Sequence, residues 1–235
     1  MHSELLRVRH TPFFLLHGLF PVLGMILFCS YFGMYHTVEV KQRMQMIFEI
    51  TITVFSVIIS CMIGIAVMQE EQNHFFLMLS NTKRIYGILQ KLLFLWGMGV
   101  MAVLFLLTST GVGIWVFTEI SVKKWILEML AGLIVWSAIL YVWHLFLNLK
   151  FGMGISVFLG VFESLQVIIY SNVELKGIFV YIPFAWQMNW MKDILNGSAR
   201  GHLVQWMICT CITVTAIILL CIWFSHWEGR KNYEI

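Results

Sequence analysis

Apolar positions along the chain gather into six long runs, at about Pro12 to Met34, Met46 to Met68, Leu92 to Phe117, Trp125 to Leu147, Gly152 to Tyr170 and Leu203 to Phe224. Each has about the length a helix needs to cross roughly 30 Å of hydrocarbon at 1.5 Å per residue. The pattern predicts an all-α, polytopic membrane protein with six transmembrane helices and one transmembrane domain over residues 1–235. An even number of spans puts both termini on one side. The connections are short except for Gln69 to Lys91 and Ser171 to His202, where function outside the membrane has room to reside.

Composition excludes a single soluble core, since 60% of the 235 residues are hydrophobic and 11% charged, against about 45 to 50% and 25% in soluble domains. The net charge of +3 is scattered over short loops, so no basic tract marks a nucleic-acid site. All five cysteines lie inside spans, and Cys209 and Cys211 point to different sides of a helix, which argues against a disulfide or a zinc site. The first run is too long for a signal-peptide core and has no small-residue cleavage site behind it, so it is expected to remain as the first span.

Orientation follows from Lys and Arg near span ends. The side of the termini carries eight (Arg7, Arg9, Lys83, Arg84, Lys91, Lys150, Arg230, Lys231) and the other seven (Lys41, Arg43, Lys123, Lys124, Lys176, Lys192, Arg200). Arg7 and Arg9 before the first span favour cytoplasmic termini.

Two segments outside the spans are amphipathic. Phe184 to Asn196, after the helix-breaking Pro183, puts Met188, Trp190, Met191, Ile194 and Leu195 on one arc and Asn189, Lys192, Asp193 and Asn196 on the other, as a helix in the membrane interface does. It either anchors the last two spans or contacts substrate. In Gln69 to Lys91, a helical wheel puts Phe75, Met78, Leu79 and Tyr86 on one face and Glu70, Asn73, His74, Ser80, Asn81 and Arg84 on the other. A short helix of that kind can dock in a groove of a soluble partner and transmit its movement, or simply lie on the surface.

In the fifth span, Gly152, Ser156, Gly160 and Ser164 recur every four residues, a small-residue stripe that lets helix backbones approach closely. Glu163, Gln166 and Tyr170 share that side, whereas Ile155, Phe158, Val161, Phe162, Leu165 and Ile169 cover the lipid side. A mid-span glutamate costs about 2.5 to 3.5 kcal/mol or more against lipid, so Glu163 is expected to be paired, protonated or in a wet cavity. Both a transport-pathway role and helix packing fit.

No phosphate-binding loop G-x-x-x-x-G-K-[ST], no H-E-x-x-H and no G-x-S-x-G occurs. Glu70 and Glu71 with His144 and Asn148 resemble the E-E-x-x-x-R and H-x-x-x-N motifs of intramembrane CAAX-type proteases, but Phe75 stands where that arginine is required and no F-x-x-x-H lies between. A non-transporting membrane scaffold is a further alternative.

The chain resembles the permeases of type 2 ABC exporters, specifically those of lantibiotic self-immunity. The resemblance rests on Glu4, Arg7, Arg9, Thr11 and Pro12 in E-x-x-R-x-R-x-T-P, and on Glu70 to Lys91 with its paired glutamates, Phe76, Leu79, the basic pair Lys83 and Arg84, and Lys91. The six-span layout, with its longest outer connection before the last span, also matches. Relatives commonly carry glycine where His74 stands. The resemblance implies a short amino-terminal lead-in helix and a cytoplasmic coupling helix whose Glu70, Glu71, Phe75, Phe76, Leu79, Lys83 and Arg84 contact the ATPase. It implies two copies of a cytoplasmic ABC ATPase that binds ATP and Mg, so that this chain is not an enzyme and holds no cofactor or metal. It also implies a second six-span permease, identical or homologous, and export of an amphiphilic cationic peptide from a bacterial plasma membrane, which makes this an antibiotic-resistance or bacteriocin-immunity protein. Other type 2 substrates, such as bacitracin, an ion or a lipid-linked molecule, are the alternative within transport.

Overall fold

The apolar run from Pro12 to Met34 forms one helix, α1, in the computed structural model, which describes residues 12–79, 84–172, 183–197 and 203–230. The chain then runs through α2 (Val40–Gln72), a single turn α3 (Phe76–Leu79), α4 (Arg84–Thr118), α5 (Lys123–Phe151), α6 (Met153–Asn172), α7 (Pro183–Asn196) and α8 (Leu203–Ser225). No strand occurs among the described residues. Six of these helices are long and apolar enough to cross a membrane, so the protein is an all-helical, multi-pass membrane protein. The lead-in motif at Glu4, Arg7, Arg9 and Thr11 lies outside the described residues, as does Lys83.

The helices outrun the apolar windows that reveal them. At 33 and 35 residues, α2 and α4 are about 50 Å long, well beyond roughly 30 Å of hydrocarbon. Their polar ends therefore continue as helix past the apolar zone, and this carries Glu70 and Lys91 into long helices rather than a loop. α2 and α5 form the centre, with 61% of each apolar window buried, while α1 and α8 bury 17% and 22% and turn most of their surface outward.

The expected amphipathic helix across Gln69 to Lys91 is not one element. α2 closes with a Schellman-type pattern in which the Phe75 N–H donates to Glu70 O and the His74 N–H to Glu71 O, each at 2.8 Å. His74 (φ 49°) and Phe75 (φ 56°) are left-handed, so the chain turns sharply before α3. We call this bend the elbow. A wheel drawn through a continuous helix therefore misplaces its residues.

At the same end, Trp227 to Arg230 folds beneath the elbow. Phe75 packs edge-on to Trp227, ring centroids 5.0 Å apart. Arg84 Nη1 donates to Ser225 O at 3.4 Å and Trp227 O at 3.3 Å. At the opposite end α7 caps the bundle. Met188, Trp190, Met191, Ile194 and Leu195 are buried, and Trp190 donates to Glu128 O at 3.0 Å. Trp190 also joins Trp136 and Trp206 in a three-indole cluster with centroids 5.3 to 5.7 Å apart. The apolar arc of α7 thus meets protein, while Lys41 Nζ donates to Asn196 Oδ1 at 2.6 Å across the rim.

Candidate functional site: a buried polar line and the elbow

A single residue, Gly152, turns α5 into α6. Its φ of 93° is a conformation that favours glycine, and a Cβ there would stand 2.8 Å from Arg230 Nη1. The tight turn brings the last two turns of α5 against the first two of α6. His144 and Asn148, four residues apart on one helix face, consequently meet the small-residue stripe of α6.

The stripe is used along its whole length. Ser156 Oγ lies 2.9 Å from His144 Nδ1 and accepts from Asn148 Nδ2 at 2.7 Å. A Cβ at Gly160 would meet Ser60 Oγ at 2.8 Å and the Ser56 carbonyl at 3.0 Å, so α2 and α6 touch almost backbone to backbone here. The Ser164 hydroxyl donates to Thr53 O of α2. The opposite face, Ile155, Phe158, Val161, Phe162, Leu165 and Ile169, is exposed.

Glu163, eleventh of the twenty residues of α6, is 3% exposed. Its Oε2 lies 3.1 Å from Nε2 of the fully buried His144. Gln166 and Tyr170 are half-buried, and Tyr170 O accepts from Lys192 Nζ at 3.4 Å. The sequence assigned no partner to Glu163, and His144 drew notice only through a protease-like pattern. The pairing of a mid-span base with a mid-span acid was the available signal, but choosing this pair requires the α5–α6 turn.

The elbow residues separate into two groups. Glu70 is buried and pairs with the buried Lys91 of α4, Nζ to Oε1 2.8 Å. Glu71 takes both terminal nitrogens of Arg230 at 2.9 Å, and Arg230 Nη2 also donates to Asn148 O at 3.2 Å. Phe75 is buried, with the Arg230 guanidinium 5.6 Å from its ring centroid. Leu79 is half-buried. Phe76 alone of the apolar site residues stands out, 67% exposed. Glu70, placed on the open polar face by the wheel, is turned inward because α2 remains helical through Gln72, which points its carboxylate at Lys91 of α4; Phe75 is turned inward by its left-handed backbone.

Of the protease-like residues, His144 and Asn148 share Ser156, Glu71 and Asn148 share Arg230, and Glu70 turns to Lys91; no group of three or more His, Cys, Asp or Glu among the described residues is arranged to hold a metal. Elsewhere, an apolar cleft of about 260 Å³ lies between α1, α2 and α4, lined by Pro21, Phe28, Phe55 and Val103, with His17 and Tyr141 also at its wall. Compared with protein-family models, with curated proteins and with solved structures, the chain finds no match.

Proposed function

We propose that this chain is the membrane permease subunit of a type 2 ABC exporter that removes an amphiphilic peptide, such as a lantibiotic, from the bacterial plasma membrane for self-immunity. The observation that carries the reading is the elbow: an exposed aromatic, Phe76, on a one-turn helix that follows an α2 end held by ion pairs to Lys91 and Arg230. An exposed aromatic on a rigid support is what a groove in a partner can grip, and such anchors contribute about 2 kcal/mol or more when desolvated. Rim charges contribute less and set orientation.

In this reading the ATPase grips Phe76 and the neighbouring exposed Asn73 and His74. Glu70, Glu71, Phe75 and Arg84 brace the elbow from behind, and ATP and Mg belong to the ATPase, in two copies. The elbow end, with the termini, faces the cytoplasm. The outward apolar surfaces of α1, α4 and α8 leave room for lipid and for a second six-span permease, and the cleft beside α1 suits an apolar side chain or alkyl tail of the substrate better than an ion.

The test is co-expression with a candidate ABC ATPase, purification through the permease, and measurement of ATP hydrolysis with and without a cationic lantibiotic. Phe76→Ala is expected to reduce ATPase recovery and peptide stimulation by roughly tenfold or more, corresponding to about 1.4 kcal/mol per tenfold, with unchanged permease abundance. Full recovery and stimulation in that variant would contradict the reading.

A further inference from the structure

We propose that His144 and Glu163 form a proton-binding site in the middle of the membrane domain, exchanging through Ser156 with the end of the bundle at which Glu71 and Arg230 lie. This goes beyond the export reading and does not depend on it. The carboxyl oxygen and imidazole nitrogen are 3.1 Å apart, and both side chains are buried. Glu163 sits about 15 Å along α6 from Met153 at 1.5 Å per residue, half the thickness of the hydrocarbon layer.

The pair is electrically isolated. Inside the apolar runs, the helices packed around it bring Glu49 and Cys61 (α2), Glu128 and Tyr141 (α5), Tyr170 (α6) and Cys209, Cys211 and Cys221 (α8) as further titratable groups; Glu49 accepts from Gln45 at 2.8 Å and Glu128 lies 4.0 Å from Lys124, both acids toward the α7 end, and α4 brings none after Lys91. His17 lies on α1, across the cleft. Lys192 and Asp193 belong to the cap α7, where Lys192 Nζ donates to Tyr170 O at 3.4 Å. At the elbow end, Glu70 is matched by Lys91 and Glu71 by Arg230. No third charge therefore compensates an unbalanced His144 and Glu163.

That isolation fixes the proton count. Imidazole with carboxylate carries −1, which is costly at this depth. One added proton makes the pair neutral in total, as imidazole with carboxylic acid or imidazolium with carboxylate, and these forms differ only in where a proton sits between Nε2 and Oε2. The closed bundle holds the pair with that proton; hydration on opening permits its release.

A delivery route is present. Asn148 Nδ2 donates to Ser156 Oγ, which leaves the hydroxyl proton for His144 Nδ1. Imidazole accepts at Nδ1 while Nε2–H gives its proton to Glu163, and hydronium that reaches the buried hydroxyl when the bundle hydrates returns one to Ser156, so solvent loses one proton, Glu163 gains one and every other group keeps its count. Ser156 is one helical turn from the start of α6, and the neighbouring buried Asn148 Oδ1, which lies against Gly64 of α2, has no protein partner.

The test uses the full-length protein in phosphatidylethanolamine and phosphatidylglycerol vesicles. Infrared difference spectra between acid and alkaline buffer are expected to show a carboxylic-acid band that grows on acidification. It should be lost in Glu163→Gln and move its midpoint in His144→Gln. In parallel, dicyclohexylcarbodiimide, which attacks protonated carboxyls in apolar surroundings, should modify Glu163 of the wild-type chain more at low pH, read by peptide mass spectrometry. That arm needs no variant to fold. A wild-type acid band that does not change with pH, a band that survives Glu163→Gln, or pH-independent carbodiimide modification of Glu163 would overturn the site.

Discussion

Arg230 holds Glu71 in a two-pronged grip, Nη1 to Oε1 and Nη2 to Oε2, each 2.9 Å. One residue belongs to the carboxy-terminal segment and the other to the last turn of α2. The same guanidinium donates to Asn148 O at the end of α5, where the carbonyl end of a helix attracts positive charge. Three elements that are distant in sequence are thereby tied at one point behind the elbow.

Removing this tie is expected to loosen the elbow without unfolding the bundle. The pair is partly exposed, about a fifth on one side and a third on the other, so Arg230→Ala should cost roughly 1 to 2 kcal/mol. Arg230→Lys keeps the charge but loses the planar fork, and should recover less than half of that. Thermal unfolding in detergent measures both; a loss below about 0.3 kcal/mol for the alanine variant would show that the tie is ornamental.

Glu70 and Lys91 provide a sharper case, because both are buried. Removing one partner of a buried ion pair costs about 3 to 5 kcal/mol, whereas replacing both with apolar residues is often close to neutral. Glu70→Leu and Lys91→Met are therefore each expected to be strongly destabilising alone and to rescue one another in the double variant. A double-mutant cycle by denaturant unfolding in detergent decides this, and additive losses would contradict the pairing.

Gly160 tests the contact between α2 and α6. With Ser60 Oγ 2.8 Å and the Ser56 carbonyl 3.0 Å from an added Cβ, Gly160→Ala forces backbone apart and should cost about 1 to 3 kcal/mol. Phe158→Leu on the exposed face of the same helix should change stability by less than about 0.5 kcal/mol. Unfolding of the two variants in one detergent provides the comparison.

How much of this was legible depended on whether the signal was local. α1 ends at Met34, where the apolar run does. α2 extends to Gln72 because helical hydrogen bonds continue through Gln69, Glu70 and Glu71 once Lys91 and Arg230 neutralise the acids, and those partners lie 21 and 159 residues away in the chain. The exposed apolar face of α6 followed from helical periodicity alone, whereas the His144 partner of Glu163 required the Gly152 turn. The break at His74 was hidden because histidine is no turn signal.

His74 itself is testable. It occupies the left-handed position of the Schellman-type end, where a non-glycine residue costs about 1 to 2 kcal/mol. His74→Gly should raise stability by about 0.5 to 1 kcal/mol after allowing for the greater freedom of glycine in the unfolded chain, while His74→Val should lower it. Equal stability of all three by thermal unfolding would argue for a different backbone at the elbow.

Whether the elbow grips an ATPase through Phe76 is tested most directly by placing a photo-crosslinking amino acid at position 76, and separately at exposed position 158, in cells that also make a candidate ABC ATPase. The account predicts an adduct of permease and ATPase after illumination at position 76 and none at position 158. No ATPase adduct at position 76, or equal adducts at the two positions, would contradict it.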